Sequence, residues 1–169
     1  IHTEARRNTE EEEHHVFEPS KPIVDQVVGD ERCERQHQSD RGPRDRPTED
    51  LVVVVGIGGV GSWAAEALAR SGVGRITLID MDHIAESNVN RQIHALTPTL
   101  GQSKVEAMRE RIAGIHPGCV VHAVDEFVQQ GNWPQLLPQP VHAVIDACDQ
   151  VAAKLALAAW ARQQGACFI

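Results

Sequence analysis

An α/β fold, doubly wound on a mainly parallel sheet with helices on both faces, is predicted by three features of the sequence. Residues 51–169 alternate short β-branched runs with segments of helical period, the pattern of strands joined through crossover helices. The first run, "LVVVVGIG", is apolar throughout rather than alternating, as expected of a parallel strand covered on both faces. A glycine-rich turn follows it directly, and such turns open the first crossover of doubly wound sheets.

Each element can be justified in order. "GSWAAEALARSG" has helical period, with Gly72 placed to end it, because glycine readily adopts the left-handed backbone that closes a helix. "RITLID" is the second strand, and a polar stretch, "DMDHIAESNVNRQ", separates it from a helix in "GQSKVEAMRERIAGIHPG" that Pro117 and Gly118 close. "CVVHAVDEFV" is the third strand, "NWPQLLPQP" an irregular crossover and "VHAVIDAC" the fourth strand. "DQVAAKLALAAWARQQG" is a further helix, and "CFI" begins a fifth strand.

Residues 1–50 are different material. They carry 8 Lys and Arg against 14 Asp and Glu, and their one apolar segment, "VFEPSKPIVDQVV", contains two prolines. Dense charge with little to bury predicts a mostly disordered leader. His14 and His15 beside acidic residues read as a solvated charge run rather than a metal site.

Composition sets the outer bounds. A length of 169 residues fits one domain, and a net charge of -8 argues against a chain built chiefly to hold nucleic acid or an anionic membrane. Cys33, Cys119, Cys148 and Cys167 form no Cys-x-x-Cys pair. Neither a zinc site nor a disulfide framework is expected, and a cytoplasmic setting fits. The most apolar long window, 141–160, is interrupted by Asp146, Asp149 and Lys154, so no membrane span is expected.

The chemistry is concentrated at one end of the predicted sheet. "GIGGVG" sets Gly56, Gly58 and Gly61 in the G-x-G-x-x-G spacing of Rossmann-like nucleotide-binding folds. The first glycine permits the turn, the second a close backbone approach to phosphate, and the third close helix–strand packing. Asp80 ends the second strand, where an acid hydrogen-bonds ribose hydroxyls. Arg91 lies in the following loop, on the ligand side of the sheet. Lys104 opens a helix, the wrong end for a cation unless an anion is near. Asp146 and Asp149 bracket the end of the fourth strand, and carboxylates beside phosphates call for a hard cation such as Mg²⁺. Each residue also has a plainer reading: Asp149 as a helix N-cap, Arg91 and Lys104 as solvated cations, Cys148 as a small buried residue, Trp63 and Trp160 as packing. Together they favour Mg-ATP chemistry over a dinucleotide oxidoreductase, which would bind NAD through the same loop and Asp80 without needing Arg91, Lys104 and Asp149.

Four stretches in order, "VVVVGIGGVGSWAAEALARSGVGRITLIDMD", "SNVNRQIHAL", "GQSKVEAM" and "VIDACD", resemble the ThiF/MoeB superfamily of ubiquitin-activating-like adenylating enzymes. The wording of "GVGSWAAEALARSG" and "NRQIHAL" is most similar to the tRNA threonylcarbamoyladenosine dehydratase branch. The resemblance implies ATP-dependent adenylation of a carboxylate, in that branch the one on threonylcarbamoyladenosine next to the tRNA anticodon, which then cyclises as AMP leaves. It implies that Gly56, Gly58, Gly59 and Gly61 form the phosphate loop and that Asp80 is the ribose acid. It further implies that Asn88 and Arg91 contact the phosphates, that Lys104 holds the phosphate chain, that Asp149 carries Mg²⁺ and that Asp146 supports that turn. A homodimer is implied as well.

Two departures go with the resemblance. No wording in residues 1–50 matches the family's arginine-bearing N-terminal helical segment, and the family continues past Ile169 with further strands and acceptor loops. The expectation is a partial ATP-binding domain over 51–169, with its sheet incomplete at the C-terminus. Activation of a ubiquitin-like sulfur-carrier protein and a fragment that only binds nucleotide stay open as alternatives.

Overall fold

The computed structural model describes residues 48–129, 131–137 and 140–169. The expectations placed on residues 1–47, including His14, His15 and most of the 1–50 disordered leader, lie outside the described residues, whereas residues 48–50 of that leader belong to the first strand, because sheet pairing begins at Thr48, ahead of the apolar run. Five parallel strands form one sheet: β1 (Thr48–Val55), β2 (Val73–Ile79), β3 (Val120–Val124), β4 (Ala143–Asp146) and β5 (Cys167–Phe168). Their order is β3-β2-β1-β4-β5, so the chain winds outward from β1 in one direction and then returns to build on its other side. Three helices connect them: α1 (Gly61–Arg70), α2 (Lys104–Ile115) and α3 (Val151–Gln164).

The apolar run of β1 serves two cores, because alternate side chains of a strand point to opposite faces. Val52 and Val54 join Ile76, Leu78 and Ile145 against Ala65 and Ala69 of α1 and Val105, Met108 and Ile112 of α2. Val53 and Val55 join Ile79 and Val144 against Ala153, Leu157, Trp160 and Ala161 of α3. No helix spans the connection between β3 and β4 among the described residues. Trp133 and Leu137 from that irregular crossover join the α3 layer, and Trp133 meets Trp160 edge-on with ring centroids 5.2 Å apart.

The helices end where the sequence predicts. α1 stops at Arg70, and Gly72 follows with φ +84°. Gly165 caps α3 in the left-handed conformation, φ 68°. The third strand is shorter than its apolar wording suggests. Among the described residues β3 lies at the sheet edge and pairs only with β2, whose register ends at Ile79 opposite Val124. Residues 125–128 therefore leave the sheet. Among the described residues no helix is long and apolar enough to cross a membrane.

Candidate functional site

Loops leaving the carboxyl ends of β1, β2, β3 and β4 enclose a cleft of about 300 Å³. Its centre lies where the strand order reverses between β1 and β4, the position at which doubly wound sheets receive ligands.

The glycine loop forms the floor. Gly56 has φ +87°, and a Cβ there would lie 2.7 Å from the Ala147 carbonyl oxygen. A Cβ on Gly61 would lie 1.8 Å from the Gly56 oxygen, so the turn and the start of α1 close only without side chains. Gly58 and Gly59 line the cleft. At Gly58 the nearest atom a Cβ would meet is Gln92 Nε2 at 4.0 Å, which leaves that backbone open to a ligand. The amides of Gly58, Gly59 and Val60 have no acceptor among the described residues. No side chain caps α1. Unpaired N–H groups at a helix start attract an anion.

Asp80 ties the second strand to this loop. Its Oδ2 accepts the Ile57 N–H at 2.6 Å and its Oδ1 accepts the Asp82 N–H at 2.8 Å. Each oxygen keeps a second lone pair, enough to accept a ribose hydroxyl.

Lys104 is the first residue of α2 and is only 6% exposed. Its ammonium bonds Asp82 Oδ2 at 2.7 Å, and its backbone N–H donates to the Asp82 carbonyl at 3.0 Å. The anion needed beside a cation at a helix start is thus supplied by the protein. An ammonium has three donors, so the pairing leaves capacity for a ligand at the cleft wall. Arg91 also lines the cleft, and its Nη1 donates to the Ser87 carbonyl at 2.7 Å and to Asn90 Oδ1 at 3.1 Å. Asn88 does not line the cleft. It is buried, with Oδ1 accepting the Ala85 N–H at 2.9 Å, and so braces the turn that carries Arg91.

Behind the far wall, which Ala147, Cys148 and Asp149 line, Asp146, the last residue of β4, is occupied internally. Its Oδ1 accepts the Cys148 N–H at 3.1 Å and the thiol at 3.0 Å, and its Oδ2 pairs with Lys154 at 3.1 Å. Burial, and then the Asp146 carboxylate, push the Cys148 thiol up to about 11. This favours the protonated thiol at neutral pH. Asp149 is exposed on the cleft wall and makes no hydrogen bond or ion pair among the described residues. The N-cap of α3 is Gln150, without a side-chain bond, so capping does not account for Asp149. Among the described residues no group of three or more His, Cys, Asp or Glu side chains could hold a metal ion.

Sequence reasoning missed Asp82, Gln92 and residues 126–128, all of which line the cleft. Asp82 had a partial signal, a second carboxylate two positions after Asp80. Gln92 is buried beside Arg91, with its Oε1 unpartnered. Nothing in its wording distinguishes it from a surface glutamine.

The ThiF family model matches residues 42–169. The chain belongs to the ThiF family. Among ThiF-family relatives, it is 55% identical over 112 residues to the tRNA threonylcarbamoyladenosine dehydratase of Escherichia coli (strain K12), a match covering 66% of this chain and 42% of the relative. Against the enzyme of the same name from Haemophilus influenzae it is 47% identical over 112 residues, covering 66% of this chain and 43% of the relative. The crystal structure of the E. coli dehydratase in complex with ATP is similar at TM-score 0.69 and 52% identity, over 71% of this chain and 49% of that one. The chain therefore spans less than half the length of these ThiF-family proteins.

Proposed function

We propose that this chain provides the ATP-binding half of an adenylating enzyme that dehydrates threonylcarbamoyladenosine in tRNA. The observation that carries the reading is the convergence on one cleft of open loop amides, Arg91, buried Lys104 and Asp149. The E. coli relative bound to ATP supports it.

In this reading the amides of Gly58, Gly59 and Val60 receive the phosphates and Asp80 receives the ribose. The substrate carboxylate attacks the α-phosphorus; a new P–O bond forms as the bond to the bridging oxygen breaks, and pyrophosphate departs. Lys104 and Arg91 neutralise the charge that grows on pyrophosphate, held in place before the reaction begins. The activated acyl group then closes a ring on its own substrate and AMP leaves, so the net change is loss of water at the expense of ATP.

The donor set fits Mg²⁺ arriving with the nucleotide, since this ion binds through one or two carboxylates together with phosphate oxygens. Asp149 is the carboxylate that would hold it, and when bound the ion would shield the phosphate charge. Asp146, tied to Lys154 and Cys148, would keep the Asp149 turn in shape. The acceptor tRNA, a homodimeric assembly and a cytoplasmic setting belong to the same proposal.

Titration calorimetry of the chain with ATP, AMP and NAD, with and without Mg²⁺, tests the nucleotide reading. ATP should bind in a metal-dependent way, and Lys104→Met should weaken it by about tenfold or more while changing AMP little, because a single charge contact to phosphate is worth over 1 kcal/mol. Tight NAD binding that ignores both metal and Lys104 would overturn the proposal.

A further inference from the structure

Arg91 sits in a surface loop, 28 positions from the residue that holds it. Trp63, in the first turn of α1, donates its indole N–H to the Arg91 carbonyl at 3.0 Å. Its neighbour Ser62 is fully buried, and its hydroxyl accepts the Ile93 N–H at 3.4 Å. Two consecutive side chains of α1 thus grip the loop on either side of Gln92, directly after Arg91. Gly59 completes the arrangement: its missing Cβ would lie 3.4 Å from Arg91 Cγ and Cδ, so the arginine stem rests against the phosphate loop. Packing alone does not explain Trp63, which is 53% exposed on the same helix whose start faces the cleft.

We infer that Trp63 is a positioning residue for Arg91, fixing the guanidinium relative to the phosphate loop through the indole N–H. The inference rests on the ATP-binding reading above. The helix that receives phosphate also sets the reach of the arginine, so both move as one body. A carbonyl fixed by a single bond from a rigid, flat side chain limits the loop to one register, and the arginine stem then needs only its own rotamers to meet a phosphate.

Trp63→Phe keeps an aromatic side chain and removes the donor, and the exposure of the site makes the variant compatible with folding. ATP and AMP binding should be measured for the wild type, Trp63→Phe, Arg91→Ala and the double variant. Hydrogen exchange over residues 87–93 of the ligand-free chain should be followed alongside. The expected result is a three- to tenfold weaker affinity for ATP in Trp63→Phe with AMP unchanged, no further loss when Trp63→Phe is added to Arg91→Ala, and faster exchange confined to 87–93. Equal losses for ATP and AMP, or full additivity with Arg91→Ala, would overturn the role. If the wild type binds no ATP, the nucleotide reading falls, and exchange at 87–93 still decides: no change in Trp63→Phe refutes the pinning and a local increase upholds it.

Discussion

His94 is enclosed to 2% exposure, and neither ring nitrogen meets a partner among the described residues. Burial, and then the charges of Lys104 and Arg111, lower its pKa to about 4. The folded chain therefore keeps the ring neutral, while the unfolded chain takes up a proton below about pH 6.5. Stability contributed by the neutral ring is complete above about pH 6.5 and is lost as pH falls toward 4, by about 3 kcal/mol in all. Urea unfolding across this range should show His94→Leu losing less stability than the wild type by that amount; parallel curves would rule the effect out. The residue scale is also where the sequence was least legible. Lys104 could be read as a cation in want of an anion, but the identity of Asp82 as that anion needed the register between the β2 loop and α2. Asn88 could be placed in the loop, yet its inward turn toward the Ala85 amide depends on local backbone geometry.

At the scale of elements, α1 and α2 are tied across one face of the sheet by Glu66. The side chain is buried and pairs with Arg70 on its own helix at 2.7 Å and with Arg111 on α2 at 2.5 Å. Burial opposes ionisation, but hydrogen bonds from Arg111 and Arg70 hold the carboxyl below its ordinary 4.5. A depressed acid stabilises the fold above the unfolded value, and the contribution is lost as pH falls through the folded one. Glu66→Gln should cost about 1–3 kcal/mol at pH 7, typical of charge-assisted hydrogen bonds. In chemical denaturation the gap to wild type should narrow below about pH 4.5. A gap that persists unchanged into acid would assign the loss to packing instead. The helices and strands themselves were legible from period and punctuation, as Gly72 and Gly165 show. β3 was not, because its end is set by where β2 stops offering a partner rather than by where the apolar residues run out.

Across the whole molecule, one sheet carries two cores, with α1 and α2 on one side and α3 with the Trp133 crossover on the other. Because β1 donates alternate residues to each, loss of packing on one face should be felt by both. Leu157 is fully buried in the α3 layer, and Leu157→Ala should cost about 2–5 kcal/mol. Unfolding followed by tryptophan fluorescence in a Trp63→Phe background, which leaves Trp133 and Trp160 as the reporters, should coincide with unfolding followed by far-UV circular dichroism. An earlier fluorescence transition would show that the α3 layer melts separately.

The sequence by itself determined the parallel α/β class, the glycine loop and the ThiF-family resemblance. These depend on local chemistry: β-branched runs, helical period, and glycine where a turn must be tight. It also placed Arg91, Lys104 and Asp149 at the ligand end of the sheet, since topology alone puts every such loop there. Only the tertiary structure decided which groups are already engaged and which face the cleft. Asp146 proved to be tied to Lys154 and Cys148, Asp149 lines the cleft without a partner among the described residues, and the Trp63 indole N–H reaches the Arg91 carbonyl. Those outcomes rest on contacts between segments distant in sequence, and a linear reading carries periodicity but not distance.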